Sequence, residues 1–172
     1  MSNEINKLRD FFFGLGYFSQ SSLFVLVICL LIKHPGYIVW YLIGRYCLSE
    51  CKTILNRITK QPRPSNGKKF LAWDVIREGS RNGMPSGHAA SAIFDTLYLY
   101  HLDLVPIVPW ICFAFFTFIV TVWERYYFRN HTVMQLFCGT ILGIIVFYLT
   151  IEVSDRLCHY TGSCLVERRK MH

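Results

Sequence analysis

The chain has 172 residues, 53% of them hydrophobic and 16% aromatic, with a net charge of +7. That is more apolar than a water-soluble domain of this length needs for one core, which excludes both a soluble globule and a disordered basic tail. The Lys and Arg residues gather between apolar segments and form no soluble basic face, so they point to anionic headgroups or phosphates, with no nucleic acid partner.

A helix that crosses the hydrocarbon needs about 20 mostly apolar residues, because its backbone must satisfy its own hydrogen bonds there. Residues 1–10 are polar, and the stretch after them lacks a short apolar core ending in a small-residue cleavage site, so it reads as an anchor. The first span covers residues 11–32, with a polar patch at Ser19 to Ser22, and Lys33-His34-Pro35-Gly36 makes a turn. The second, residues 36–55, carries Arg45 and Glu50 and must turn one face to protein or water. Residues 60–84 form a loop punctuated by Pro62, Pro64, Gly67, Gly79 and Gly83 and rich in Lys and Arg. Helical runs resume at residues 87–104, at 107–123 after Pro106, and at 132–152. The sequence therefore predicts an all-α polytopic membrane helix bundle, about five transmembrane helices in one domain over residues 1–172.

Alternation of the spans has a consequence for chemistry. Helix two is expected to end at Arg63-Pro64, helix three to begin at Pro85, helix four to end at Arg125 and helix five to begin at His131. All four ends then lie at one membrane face, which becomes the expected active-site layer.

The residue types in that layer suit a phosphoryl group. Its transition state spreads charge over three equatorial oxygens and needs fixed donors, an in-line nucleophile and an acid opposite. Arg63 and Arg125 supply forked donors. Pro85-Ser86-Gly87-His88 stands at a helix start, where free amides and the positive dipole end favour an anion, and Gly87 lets the backbone come close. Gln135, one turn after His131, can accept from its imidazole N–H and fix the tautomer. Carboxylate or His/Cys clusters with metal-ligand spacing are absent from these segments, so neither a metal nor another cofactor is expected.

Lys60-Gln61-Pro62-Arg63-Pro64, Pro85-Ser86-Gly87-His88, and Glu124-Arg125 followed by His131 and Gln135 together resemble the type 2 phosphatidic acid phosphatase (PAP2) superfamily. Its pattern is Lys-x6-Arg-Pro, Pro-Ser-Gly-His and Ser-Arg-x5-His-x3-Asp; the resemblance runs over residues 56–135. It implies a metal-independent lipid phosphatase in which His131 forms a phosphohistidine and His88 protonates the leaving group. Gln135 would support His131, with Arg63, Ser86, Gly87, Arg125 and Asn56 around the phosphate.

Three positions depart from the pattern. Asn56 stands where the family has Lys, and Lys52, Arg57 or Lys60 could supply the missing charge. Glu124 replaces Ser and sets a carboxylate beside Arg125; Gln135 replaces Asp, as in the His-Thr-x-x-Gln run of the dolichyl diphosphatase branch. The substrate this implies is a polyisoprenyl (dolichyl) diphosphate, with a phosphatidate or sphingoid-type monophosphate as alternative and an inactive lipid-binding relative as the third reading. On the first reading, Gln135→Asp with Asn56→Lys should raise monophosphate hydrolysis relative to diphosphate hydrolysis.

The remaining features are bland or structural. Asp95 is expected to pair with Arg45 or a hydroxyl, and the Asn130-His131-Thr132 sequon abuts the motifs too closely to be glycosylated. Cys158 and Cys164 could pair in an oxidising lumen. The positive-inside rule favours a cytosolic motif face. Arg169-Lys170-Met171-His172 resembles a basic endoplasmic-reticulum retrieval signal and favours a lumenal motif face, in keeping with the dolichyl resemblance.

Overall fold

The computed structural model describes residues 2–65, 67, 82–102 and 107–161. Five helices follow the expected order: α1 (Ser2–Leu31), α2 (Pro35–Thr59), α3 (Gly87–His101), α4 (Ile107–Tyr127) and α5 (Val133–Thr161). No strand occurs among the described residues apart from a single bridge between Pro62 and Asn82. The Cys158–Cys164 pairing and the C-terminal basic signal involve residues outside those described.

The five expected spans are not equivalent. Three helices are apolar and long enough to cross a membrane, over Phe11–Leu31, Val108–Tyr127 and Val133–Leu157. In α2 the charges of Arg45, Glu50, Lys52 and Arg57 interrupt the apolar run. The 15 residues of α3 rise only about 22 Å, short of a hydrocarbon core of about 30 Å. Its Ala89, Ala90, Ala92, Phe94 and Asp95 are buried, so α3 is sheltered by its neighbours.

Local signals set the ends. Pro35 occupies the first position of α2, where its missing N–H costs nothing. The helix stops at Thr59 and does not reach Arg63-Pro64, because Lys60 turns left-handed (φ 46°) and returns its N–H to the Asn56 carbonyl. Pro62 and Pro64 could not have donated to a continuing helix. Lys60 thus leaves the helical face it would have shared with Asn56.

The interior is joined by close backbone approach and by polar ties. A Cβ on Gly139 would meet the Ser86 carbonyl oxygen at 2.3 Å, and one on Gly143 would meet the Ala90 oxygen at 2.3 Å. These glycines, four apart on α5, let α3 lie directly on it, as small-xxx-small pairs do in membranes. Ser19 and Thr121 share a hydrogen bond of 2.6 Å between α1 and α4, and Gln20 donates to Ser91 on α3 at 3.3 Å. Ser19 and Gln20 of the polar patch therefore face protein, while Ser21 and Ser22 are exposed. Asp95 accepts from Tyr41 at 2.8 Å and lies 3.5 Å from Arg45, which is the structural pairing expected of it. The outer surface keeps Phe116, Trp123, Ile145 and Leu149 exposed, as a lipid-facing wall requires.

Candidate active site

The five-residue gap between Arg125 and His131 has a simple structural origin. At the end of α4 the Phe128 N–H returns to the Glu124 carbonyl (3.0 Å), and Arg129 adopts a left-handed conformation (φ 53°). The chain then folds back until the N–H groups of Asn130 and His131 both donate to the Arg125 carbonyl, at 2.9 and 3.3 Å. Arginine and histidine are thus tied through one helix C-terminus. Asn130 is buried there, in keeping with the discounted sequon.

His131 lies two residues before α5 and does not open it, because Thr132 takes the N-cap position. The Gln135 N–H donates to Thr132 Oγ1 (3.2 Å), while the Thr132 N–H donates to Gln135 Oε1 (3.1 Å). This reciprocal capping box holds the Gln135 side chain back toward His131. Thr132 is a site residue beyond those expected, although Thr-x-x-Gln before an apolar run is the sequence signal that announces such a box.

Two acceptors face the same imidazole nitrogen. His131 Nδ1 is 2.9 Å from the Gly83 carbonyl and 3.3 Å from Gln135 Oε1, so Nδ1 carries the proton and Nε2 keeps its lone pair. Gln135 contributes as expected, but the shorter contact comes from Gly83, which no motif announced. Its carbonyl is delivered by a strap in which Pro62 bridges to Asn82 and the Gly83 N–H donates to the Gln61 carbonyl (2.8 Å). Gly83 must lack a side chain, since a Cβ would lie 2.6 Å from Gln135 Oε1 and 2.8 Å from Arg63 Cγ. On its far side Gln135 Nε2 donates to the Pro62 carbonyl at 2.9 Å and to Gln61 Oε1 at 3.4 Å. That fixes which end of the amide is nitrogen.

Burial, then the charges of Arg63 and Arg125, push the His131 pKa from its usual 6.5 down to about 3, against the opposing pull of Gln135 and Gly83. The ring is neutral at physiological pH, as a nucleophile requires. Because the folded pKa is depressed, the unfolded chain binds this proton first. His131 therefore costs no stability above about pH 6.5 and erodes it as pH falls toward its folded pKa. Nitrogen-15 NMR of histidine-labelled protein in micelles should find His131 as the neutral Nδ1–H tautomer down to about pH 5. Titration near 6.5, or an Nε2–H tautomer, would contradict the geometry.

His88 stands in the first turn of α3, half-buried, with the cations Arg125, Arg63 and Lys52 and the neutral His131 ring around it. Ser86 caps this helix through Ala89 at 3.5 Å, and its own N–H donates to the Gln135 carbonyl at 2.9 Å. Ser86 therefore positions the turn, and its backbone donor is already in use. The amides of Gly87 and His88 open the helix at this turn, where free N–H groups favour an anion.

The departing positions are engaged as well. Glu124, fully buried, forms an ion pair with Arg125 Nε at 2.8 Å, and the Arg125 guanidinium lies over the Tyr17 ring. Asn56 accepts from Asn82 Nδ2 through its backbone carbonyl at 3.0 Å. With its amide oriented to satisfy both neighbours, its side chain donates to the carbonyls of Asn82 (3.1 Å) and Met84 (3.3 Å). Asn56 thus fastens the strap to α2. Among the described residues, no group of three or more His, Cys, Asp or Glu is placed to hold a metal ion.

Two arginines, two histidines and an open helix start converge on one end of the bundle, from the three segments that resemble the superfamily. The PAP2 superfamily profile matches residues 34–157, which takes in α2, α3, α4 and most of α5, with Asn56, Arg63, Ser86, His88, Arg125, His131 and Gln135. The chain belongs to the PAP2 superfamily. A curated relative of this PAP2 chain, Dolichyldiphosphatase 1 of Dictyostelium discoideum, is 29% identical over 112 residues, covering 59% of this chain. The match spans 45% of that relative, somewhat less than half its length. No solved structure matches this PAP2 chain.

Proposed function

We propose that this PAP2 protein is a metal-independent membrane phosphatase that hydrolyses a polyisoprenyl diphosphate of the dolichyl type through a phosphohistidine on His131. The observation that carries the reading is the pair of acceptors on His131 Nδ1, which leaves Nε2 unprotonated among Arg63, Arg125 and His88. In the first step Nε2 attacks the terminal phosphorus, the bond from phosphorus to the bridging oxygen breaks, and its electron pair leaves with the lipid monophosphate. His88, held neutral by burial and by Arg125 before substrate binds, takes up a proton when the anionic diphosphate offsets its cationic neighbours, and delivers it to that oxygen. In the second step water attacks the phosphohistidine, His88 takes the water's proton, and inorganic phosphate departs with the electron pair of the P–N bond returned to Nε2. Arg63 and Arg125 hold the equatorial oxygens in both steps.

The substrate assignment rests on likeness to a dolichyl diphosphatase and on the neutral Gln135 behind the nucleophile. A phosphate leaves more readily than an alkoxide, so a diphosphate demands less of the His131–Gln135 pair. Phosphate release by purified protein across a lipid panel tests it. Dolichyl diphosphate should be preferred over phosphatidate, and EDTA should leave the rate unchanged, because the groups surrounding the phosphate are cations that repel a metal ion. Preference for phosphatidate would remove the substrate, and loss of turnover on chelation, restored by magnesium, would remove the mechanism.

A further inference from the structure

A cavity of about 350 Å³ opens beside the site among α1, α2 and α3, and the proposed acid His88 lines it together with Lys52, Arg45, Gln20, Ser49 and Ser91. His131 is not among its lining residues. The two cations of the cavity differ in character. Arg45 is 3.5 Å from Asp95, so its charge is already balanced. Lys52 has no ion-pair partner among the described residues, and its Cδ lies 3.0 Å from where a Cβ on Gly87 would stand, directly against the first turn of α3.

Depth distinguishes Lys52 from the position it could be thought to replace. Asn56 occupies the superfamily lysine position and is committed to the strap. Four residues earlier on α2, at 1.5 Å rise each, Lys52 lies about 6 Å further from the motif face and toward the lipid. A diphosphate anchored in the bilayer presents its terminal phosphate outermost, at His131, and its lipid-linked phosphate deeper, on the leaving side. Arg63 and Arg125 act on both His131 and His88, and Lys52 is the further cation that acts on His88.

We propose that Lys52 and this cavity receive the second, lipid-linked phosphate, so that Lys52 neutralises the charge arriving on the leaving group and selects diphosphates over monophosphates. The inference rests on the diphosphate reading above and adds the residue that enforces it. When the bridging bond breaks, the departing lipid monophosphate gains negative charge beside His88. An ammonium there stabilises the departing group more than the ground state, which raises kcat as well as affinity.

Lys52→Met and Lys52→Arg should be compared on a polyisoprenyl diphosphate and the monophosphate of the same chain length. Lys52→Met should lower kcat/KM on the diphosphate by about 10- to 100-fold, as expected for loss of one charge-assisted contact, and change the monophosphate by less than about threefold. Lys52→Arg should recover most of the loss. An equal fall on both substrates would make Lys52 a ligand of the transferred phosphate, and no change on either would remove it from the site; each result overturns the proposal. Calorimetric binding of methylenebisphosphonate and of methylphosphonate gives a readout independent of turnover. Wild type should favour the bisphosphonate and Lys52→Met should lose that preference. If wild type turns over only monophosphates yet keeps the Lys52-dependent bisphosphonate preference, the substrate reading fails while the second phosphate site stands.

Discussion

Replacing His131 by alanine should lower turnover by at least about 10³-fold and abolish the phosphoenzyme, whereas replacing His88 should separate the two chemical roles. No other histidine in the site is buried with one nitrogen committed to two acceptors, so no neighbour can take over the attack. His88→Ala removes the proposed proton donor and should slow lipid diphosphate turnover by about 10²- to 10⁴-fold. On a substrate such as an aryl phosphate, whose leaving group needs no proton, His88→Ala should still accumulate a labelled phosphohistidine. Rapid quenching with radiolabelled substrate, followed by acid and alkali lability of the label, measures both effects. A labelled His131→Ala protein would displace His131 from the nucleophile's role. Equal losses on both kinds of leaving group in His88→Ala would displace His88 from the acid's.

Gln135→Glu should be severely disruptive despite matching size. The glutamine amide nitrogen donates to the Pro62 carbonyl and Gln61 Oε1 in a fully buried position. A carboxylate would set an oxygen against two oxygens with no water to relieve them. Roughly 2–3 kcal/mol of stability should be lost, read as a lower unfolding midpoint in micelles. The strap carrying Gly83 would shift, and a displacement of about 1 Å at the nucleophile lowers kcat by about 10²-fold. A Gln135→Glu protein as stable and as fast as wild type would sink this account of the strap. The same contacts revise what sequence alone suggests for Gln135→Asp with Asn56→Lys. Aspartate cannot donate to Pro62, and lysine cannot reproduce the paired donation from Asn56 to Asn82 and Met84. Both changes loosen the strap before they retune the charge, so loss on every substrate replaces the expected shift toward monophosphates.

What could be read from the sequence follows the range of the interactions. The helix order came from apolar length, and the gathering of motif segments at one end came from alternation, both local properties summed along the chain. The inward face of the Ser19 patch was open to the sequence only as polarity within an apolar run. The Gly83 contact has no sequence signal because it depends on residues 61–62 pairing with 82–83, distant in sequence, for which no periodicity exists. The end of α2 was placed four residues late because a lysine in a left-handed turn has no compositional signature, unlike glycine. As stand-ins for the missing lysine, Lys52, Arg57 and Lys60 differ only in three dimensions: the left-handed turn takes Lys60 off the helix, and the start of α3 lies against Lys52.

The contact of Gly139 with Ser86 and of Gly143 with Ala90 bears on how variants should be interpreted. Both glycines lie outside every motif, yet they set the separation of the helix that carries His88 from the turn that carries His131. Alanine at either position must move backbone, because a main-chain oxygen stands 2.3 Å from the new Cβ in each case, joined at Gly143 by Ile93 Cγ2 at 2.4 Å. Such a variant would insert normally and keep all the motif residues while misaligning the two histidines. Among natural or engineered sequences, a slow enzyme with an intact motif set should first be inspected at these two positions.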